Sequence, residues 1–343
     1  MNAMVMRQVA QILTALAFFT LVFLPSAANA ATCKGTDLLK QLEANNPRAF
    51  ANIMGQAGRT LNGNALLWKI EKDADKPASY LFGTMHVTDD RLLDVPDEVL
   101  DALNGADIVA LENLDVLDKV VTRQRLKEIP ELWKFEEGKS LRDYMSEQDL
   151  EVLRAAARSF KVGFHKMLKF KPWLVMSMIS TSRCERTRKA SGKSFLDKAI
   201  GERAQRINAE LVGLESLREQ LSAMDSMPMK SQVAYLVGTA KLADKSEDSL
   251  ETMIQLYLQR KIGAIQPMFT YYSSKSSTLN LKTAYSEFQT HLIDKRNIVM
   301  RDRSLPLFEK GASFIAVGAL HLPGEMGLVN LYREAGYTVT AVW

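Results

Sequence analysis

Cysteine is nearly absent: two in 343 residues cannot staple a disulfide-dense miniature scaffold. A surplus of one charge is missing too, since 44 basic and 40 acidic residues leave a formal +4, too little to point at nucleic acid by itself. No stretch is apolar for the roughly 18 residues that read as a membrane span. G-x-S-x-G, a Walker loop, H-E-x-x-H and C-x-x-C are all lacking, which argues against a serine hydrolase, a nucleotide-binding enzyme and a zincin. What is there, 47% hydrophobic and 24% charged residues with 18 Gly and 10 Pro, excludes collagen-like, coiled-coil and wholly disordered chains. The length suits one large domain or a core domain with an inserted part.

The first thirty residues read as an address. Arg7 is the single charge before the apolar run Ile12 to Leu24, and Pro25 and small residues follow. Ala28-Asn29-Ala30 fits the A-x-A cleavage rule of a secretory signal peptide, so the mature chain is expected to start at Ala31 and to be periplasmic or secreted. Thirteen apolar residues fall short of the roughly 20 that span a bilayer, so no transmembrane anchor is expected in the mature chain. In an oxidising compartment Cys33 and Cys184 are expected to pair and pin the N-terminal arm.

Residues 31–343 are expected to form a single domain of α/β class. A helical arm over Gly35 to Gly58 precedes two strands, Ala65 to Glu71 and Ala78 to Gly83, joined as a hairpin. A helix over Pro96 to Asn104 and a buried strand ending at Glu112 continue a β-α-β pattern. Residues 116–287 read as a mainly helical insertion or cap, including a helix announced by Ser146 and Asp149 and one strand, Glu210 to Glu215. Tyr271-Tyr272 and the serines after them read as a loop. A helix over Phe288 to Lys310, the strand Ser313 to Gly318, a helix from Gly327 to Ala335 and a strand Tyr337 to Trp343 complete the pattern. The two ends thus build one mixed central sheet.

Two places share a design. Gly83-Thr84-Met85-His86 and Gly318-Ala319-Leu320-His321 each follow a strand, and they hold two of only four histidines. Glycine there lets the backbone leave the strand and leaves room for something to approach. In open α/β sheets ligands bind at the carboxyl ends of strands, so parallel strands would bring both histidines and Glu112 to one edge. Two imidazoles and a carboxylate make a facial set for Mn, Fe, Co or Zn with positions left for water and substrate. The alternative is that each histidine is a hydrogen-bonded core residue.

These residues resemble the TraB/GumN family and, more distantly, the Tiki metalloproteases. The resemblance runs from about residue 65 to 343. It rests on Leu67-Trp68-Lys69, Tyr80 to Val87, Ala110-Leu111-Glu112-Asn113, Lys295-Arg296-Asn297 and Val317 to Gly324. Softer matches are Lys171-Pro172-Trp173, Phe195-Leu196-Asp197, and Gly213 to Ser216 with Gln220. The resemblance implies a divalent-metal peptidase activity carried by His86, Glu112 and His321. Glu112 would be either ligand or general base. It also draws attention to Arg296 and Asn297: the arginine facing the cleft would bind a substrate carboxylate or steady an oxyanion, and the asparagine would orient either group. The chain departs from the family where Phe195 stands in place of a frequent glycine.

Between Lys161 and Arg206 twelve basic residues face three acids. This segment, 161–206, either attracts an anionic envelope component or is a solvated helical face. The expected function is therefore an exported metal-dependent hydrolase acting on peptide bonds, with a peptide or other small substrate in the strand-end cleft and no nucleic-acid partner. The rivals are a non-catalytic envelope protein that binds a peptide or assists polysaccharide export, and a hydrolase of esters or phosphoesters.

Overall fold

Short runs of apolar and β-branched residues assemble into one six-stranded mixed sheet: β1 (Leu67–Glu71), β2 (Ser79–Thr84), β3 (Ile108–Leu111), β4 (Glu210–Gly213), β5 (Ser313–Gly318) and β6 (Thr338–Ala341). The computed structural model describes residues 33–73, 75–274 and 281–343, and the expected signal peptide, residues 1–30, lies outside them. The spatial order is β4-β3-β5-β2-β1-β6. β4, β3, β5 and β2 run parallel, in a register that sets Val109 beside Phe314 and Leu81 beside Ile315. β1 alone runs against its neighbours, pairing Trp68 with Leu81 in the expected hairpin and with Ala341 of β6. The α/β class and the sheet built from both ends of the chain are as the sequence predicts.

The central strands are apolar at nearly every position because helices cover both of their faces. Leu81, Phe82, Val109, Phe314 and Ile315 are completely buried. The helix Asp97–Asn104 turns Val99, Ala102 and Leu103 inward between β2 and β3. Segment 116–287 has an apolar cluster of its own around Leu141, Leu153, Val175 and Leu236. It also supplies the edge strand β4 and the helix Leu196–Arg206, whose Leu196, Ile200 and Ala204 join the main core. Ser146 caps the helix Glu147–Ser159 by accepting from the Asp149 backbone at 3.1 Å, the signal that placed it.

The N-terminal arm forms two helices, Leu38–Asn45, capped by Asp37, and Pro47–Ala57, which opens on proline after an Asn46 cap. The expected Cys33–Cys184 disulfide is present across 151 residues and ties the arm to the helix Arg183–Ala190.

Two local expectations are corrected. Tyr271 and Tyr272 lie in the helix Ile265–Ser274, because their rings pack on the arm and Tyr272 donates to the Leu38 carbonyl. Asp115 is buried and paired with Arg125 at 3.0 Å. The helix expected over Phe288 to Lys310 is also not uniform: a π-helical turn, Gln289–Asp294, precedes the regular helix Lys295–Lys310. Such turns are frequent at functional sites.

Candidate functional site

Four adjacent parallel strands end on one edge of the sheet, and each delivers a titratable side chain there. Glu215 follows β4, Glu112 follows β3, His321 follows β5 and His86 follows β2, in that spatial order. This edge is the crevice at the carboxyl ends of the strands where ligands of open α/β sheets bind.

His321 is buried, and its Nδ1 lies 2.6 Å from Asn297 Oδ1. Both amide hydrogens of Asn297 are used on the carbonyls of His321 and Met326. The Asn297 oxygen is therefore an acceptor, His321 carries its proton on Nδ1, and Nε2 keeps its lone pair. Burial pushes His321 down to about 3, consistent with a neutral ring that accepts from Arg296 Nη1 at 3.3 Å.

His86 is arranged alike but with a charge. Its Nδ1 lies 2.9 Å from Oδ2 of the buried Asp197, whose Oδ1 accepts from Thr84 Oγ1 at 2.6 Å. The Asp197 charge raises His86 to about 9. About half of the His86 side chain is exposed, 52%, so this histidine forms the mouth of the site and His321 its floor. Lys189 donates to the His86 carbonyl at 3.1 Å. Glu185, on the same helix, accepts from both the backbone and the hydroxyl of Thr88.

Glu112 accepts the Gly318 N–H at Oε1 (2.6 Å), and Arg296 Nη2 (2.8 Å) and Gln220 (3.2 Å) at Oε2. Burial opposes its ionisation, but the surrounding donors and cations, His321 and Arg296 first, outweigh burial and hold the carboxyl below the usual range. Because burial makes His321 neutral, that stabilisation falls to Arg296, His86 and the Gly318 N–H. Glu215 is also buried, and burial keeps it above its ordinary value despite contacts of 2.6–3.1 Å with Arg296.

Arg296 is saturated. Its Nε and Nη2 reach Glu215, Nη2 also reaches Glu112, and Nη1 serves the Leu292 carbonyl and His321. Five N–H groups thus have partners within the protein, and the one guanidinium is shared between two buried carboxylates. The π-helical turn ends one residue before Lys295 and offers the Leu292 carbonyl to this arginine.

Gly318 sits at the centre. A Cβ built on it would lie 3.1 Å from Glu112 Oε1, 3.7 Å from His321 Cδ2 and 3.8 Å from His86 Nε2. The missing side chain leaves a hollow bordered by all three sequence-predicted ligands. The Nε2 lone pair of neutral His321, that of His86 once its proton is released, and an ionised carboxylate suit a divalent transition metal, and both rings are held at Nδ1 as metal-binding histidines are. The side chains stand wider than a closed coordination shell. Among the described residues, the set of three His, Cys, Asp or Glu ligand atoms within 4.8 Å of one another is Cys33, Cys184 and Glu247, whose sulfurs are consumed in the disulfide. A cavity of about 520 Å³ opens at the other end of the strands beside Tyr80, Glu98, Asp101 and Ser313, away from these groups.

Sequence reasoning reached His86, Glu112, His321, Arg296 and Asn297. It gave no role to Asp197, Glu215 or Gln220, whose signal was confined to short motif matches, and it missed Thr84 and Lys189 as partners of the site. In segment 161–206, Lys171, Arg188, Lys189, Lys193 and Lys198 hold acidic partners. Lys161, Lys166, Lys169, Arg183 and Arg206 are exposed.

A family model described as the TraB/PrgY/gumN family matches residues 66–341. The chain is 25% identical over 321 residues to Metalloprotease TIKI1 of Danio rerio, covering 80% of this chain and 63% of that one. It is 24% identical over 320 residues to Metalloprotease TIKI1 of Homo sapiens, covering 80% and 61%. An uncharacterized protein of Treponema pallidum (strain Nichols) is 20% identical over 277 residues, covering 78% and 80%. The chain thus spans about three fifths of the length of these metalloproteases. No solved structure matches it.

Proposed function

The chain belongs to the TraB/PrgY/gumN family, and on that premise we propose that it is an exported metal-dependent hydrolase acting on peptide bonds at the His86, Glu112 and His321 site. The observation that carries this reading is the hollow at Gly318, bordered by Glu112 Oε1 and by two imidazoles whose Nδ1 atoms are already held. His86 and His321 would hold a divalent Mn, Fe, Co or Zn ion through Nε2, with Glu112 Oε1 beside them, His321 giving up its 3.3 Å contact with Arg296 Nη1 and His86 its Nε2 proton. When bound, such an ion lowers the pKa of a water and polarises a carbonyl oxygen.

The protein's own groups prepare that chemistry. Asn297 fixes the tautomer of His321 and, being wholly buried, acts through it. Arg296 keeps Glu112 ionised and fixes its Oε2, so that Oε1 faces the hollow. Glu112 is there as a ligand or as the base that accepts a proton. Export is supported by the disulfide, since such bonds persist in oxidising compartments. No described helix is long and apolar enough to cross a membrane. The exposed cations of segment 161–206 offer a contact for an anionic envelope component, checked by vesicle binding that weakens as salt rises.

Elemental analysis of the protein purified without chelator, beside a His86→Ala/His321→Ala variant, tests the site. About one equivalent of Mn, Fe, Co or Zn in the parent and none in the variant supports it and directs a peptidase screen. One observation favours a second reading, a non-catalytic envelope protein that binds a peptide or assists polysaccharide export: the three side chains do not close to within 4.8 Å. Absence of metal in the parent, even after each ion is offered, would decide for it.

A further inference from the structure

Asp197 enters the site from a helix that sequence position does not connect with it. It lies 111 residues beyond His86, in the first turn of Leu196–Arg206, with its side chain about 4% exposed. A buried carboxylate needs partners for its oxygens, and this one has two: Thr84 Oγ1 at 2.6 Å on Oδ1 and His86 Nδ1 at 2.9 Å on Oδ2. Thr84 is the last residue of β2, so Asp197 grips the strand end and the imidazole that follows it together.

The bond also selects which face of the imidazole is free. With Nδ1 engaged, Nε2 is the nitrogen that remains, and it lies 3.8 Å from where a Gly318 side chain would be. On the far side of the same hollow, Asn297 Oδ1 engages His321 Nδ1 at 2.6 Å. The two halves therefore use one device, a buried side-chain oxygen on Nδ1. The difference lies in exposure: His321 is walled in, whereas 52% of the His86 side chain is exposed, with Phe195 edge-on at 5.9 Å. A half-exposed ring has room to rotate, and Asp197 is the side chain that hydrogen-bonds it.

We propose that Asp197 is the positioning residue of this site: it holds the exposed His86 with Nε2 toward the Gly318 hollow, as Asn297 holds the buried His321. The proposal rests on the metal reading of the site. An outer partner of this kind changes metal affinity by roughly 10–100-fold. A carboxylate there also makes the imidazole a stronger ligand than a neutral amide would.

The test compares the parent with Asp197→Ala and Asp197→Asn. Zn²⁺ and Mn²⁺ affinities are measured by competition with a chromophoric chelator, and the His86 ring by NMR contacts to Phe195 and Thr84 in the metal-free protein. Asp197→Ala should weaken metal binding by roughly 10–100-fold and erase the ring contacts. Asp197→Asn, which keeps an oxygen acceptor, should keep the contacts and lose less affinity, and it serves if the alanine variant fails to fold. Affinity within twofold of the parent together with unchanged ring contacts in a folded Asp197→Ala protein would overturn the proposal. If the parent itself binds neither ion, the metal reading fails, and the metal-free ring contacts still decide whether Asp197 positions His86.

Discussion

Replacing Gly318 with alanine should separate the stability of this fold from its metal binding. The backbone there has φ −54° and ψ 135°, a conformation open to any L-residue, so the added methyl meets no backbone strain. Loss of glycine freedom in the unfolded chain should stabilise the protein by about 0.4–1 kcal/mol. Against this, the new Cβ would stand 3.1 Å from Glu112 Oε1, a few tenths of an ångström too close, and would press on the 2.6 Å bond from the Gly318 N–H. Weakening one such bond costs about 0.5–1.5 kcal/mol, so unfolding in urea should shift by no more than about 1 kcal/mol either way. The methyl would however occupy the hollow that an ion needs, with ligands at about 2.0–2.3 Å. Metal affinity should then fall by more than the roughly 10–100-fold brought by losing an outer partner. Gly83→Ala is the contrast. Its Cβ would strike Leu322 and the Ala319 backbone at 2.9–3.0 Å, so it should cost stability through overpacking, about 1–3 kcal/mol. Metal affinity equal to the parent's in a folded Gly318→Ala protein would refute the placement of the ion.

Other perturbations probe separate parts of the argument. Replacing Cys33 and Cys184 by serine should lower unfolding stability by up to about 5 kcal/mol, from closure of a 151-residue separation, and should speed amide exchange over residues 86–90, which the disulfide-bearing helix holds; unchanged urea midpoints would sink this. Arg296→Met leaves Glu112 and Glu215 buried without their shared cation, so a loss of about 3–5 kcal/mol is expected in urea unfolding, with partial recovery on adding Glu215→Gln. Glu112→Gln separates ligand from base: loss of metal on elemental analysis marks a ligand, and retained metal with lost peptidase turnover marks a base. Burial raises Asp89, but Arg91 and then Arg188 outweigh it and lower the carboxyl to about 2. Its contribution is therefore complete above the unfolded value of about 3.9 and is lost as pH falls through about 2. Asp89→Asn should accordingly flatten the acid limb of a melting-temperature profile between about pH 5 and 2, and an unaltered limb would reject the pairing.

Much of the sheet was legible because its signals are local. An apolar run such as Val109 to Leu111 marks a buried strand by itself, and a glycine then a histidine beyond it marks a strand end. Two cysteines in one chain leave a single intramolecular pairing. The partners of the site were not legible, because Asp197, Glu215 and Gln220 become neighbours of His86, Arg296 and Glu112 only after β4, β3, β5 and β2 are set in that order. Apart from the soft Phe195-Leu196-Asp197 match, nothing within a few residues of Asp197 distinguishes it from an ordinary acid in a first helical turn. Tyr271 and Tyr272 were misread for the same reason: their rings pack on the distant N-terminal arm.

The repeated Gly-x-x-His pattern suggests two equal halves, and the structure gives its glycines and histidines unequal tasks. β2 and β5 are parallel neighbours, yet in register Thr84 rather than Gly83 stands beside Gly318. The two glycines are thus one step apart along the sheet edge. Space at Gly83 is filled by Ala319 and Leu322 from the loop after β5, so the first glycine serves close packing of that loop, while space at Gly318 is the hollow itself. The histidines diverge in the same way. A neutral amide on His321 adds no charge to a floor that already holds Glu112, Glu215 and one shared guanidinium, and a third buried carboxylate there would lack a cation. At the mouth, His86 itself carries the charge that matches the buried Asp197 carboxylate. The choice of Asn297 on one side and Asp197 on the other therefore follows from the charge each imidazole carries, and exchanging the two residues should disturb the floor far more than the mouth.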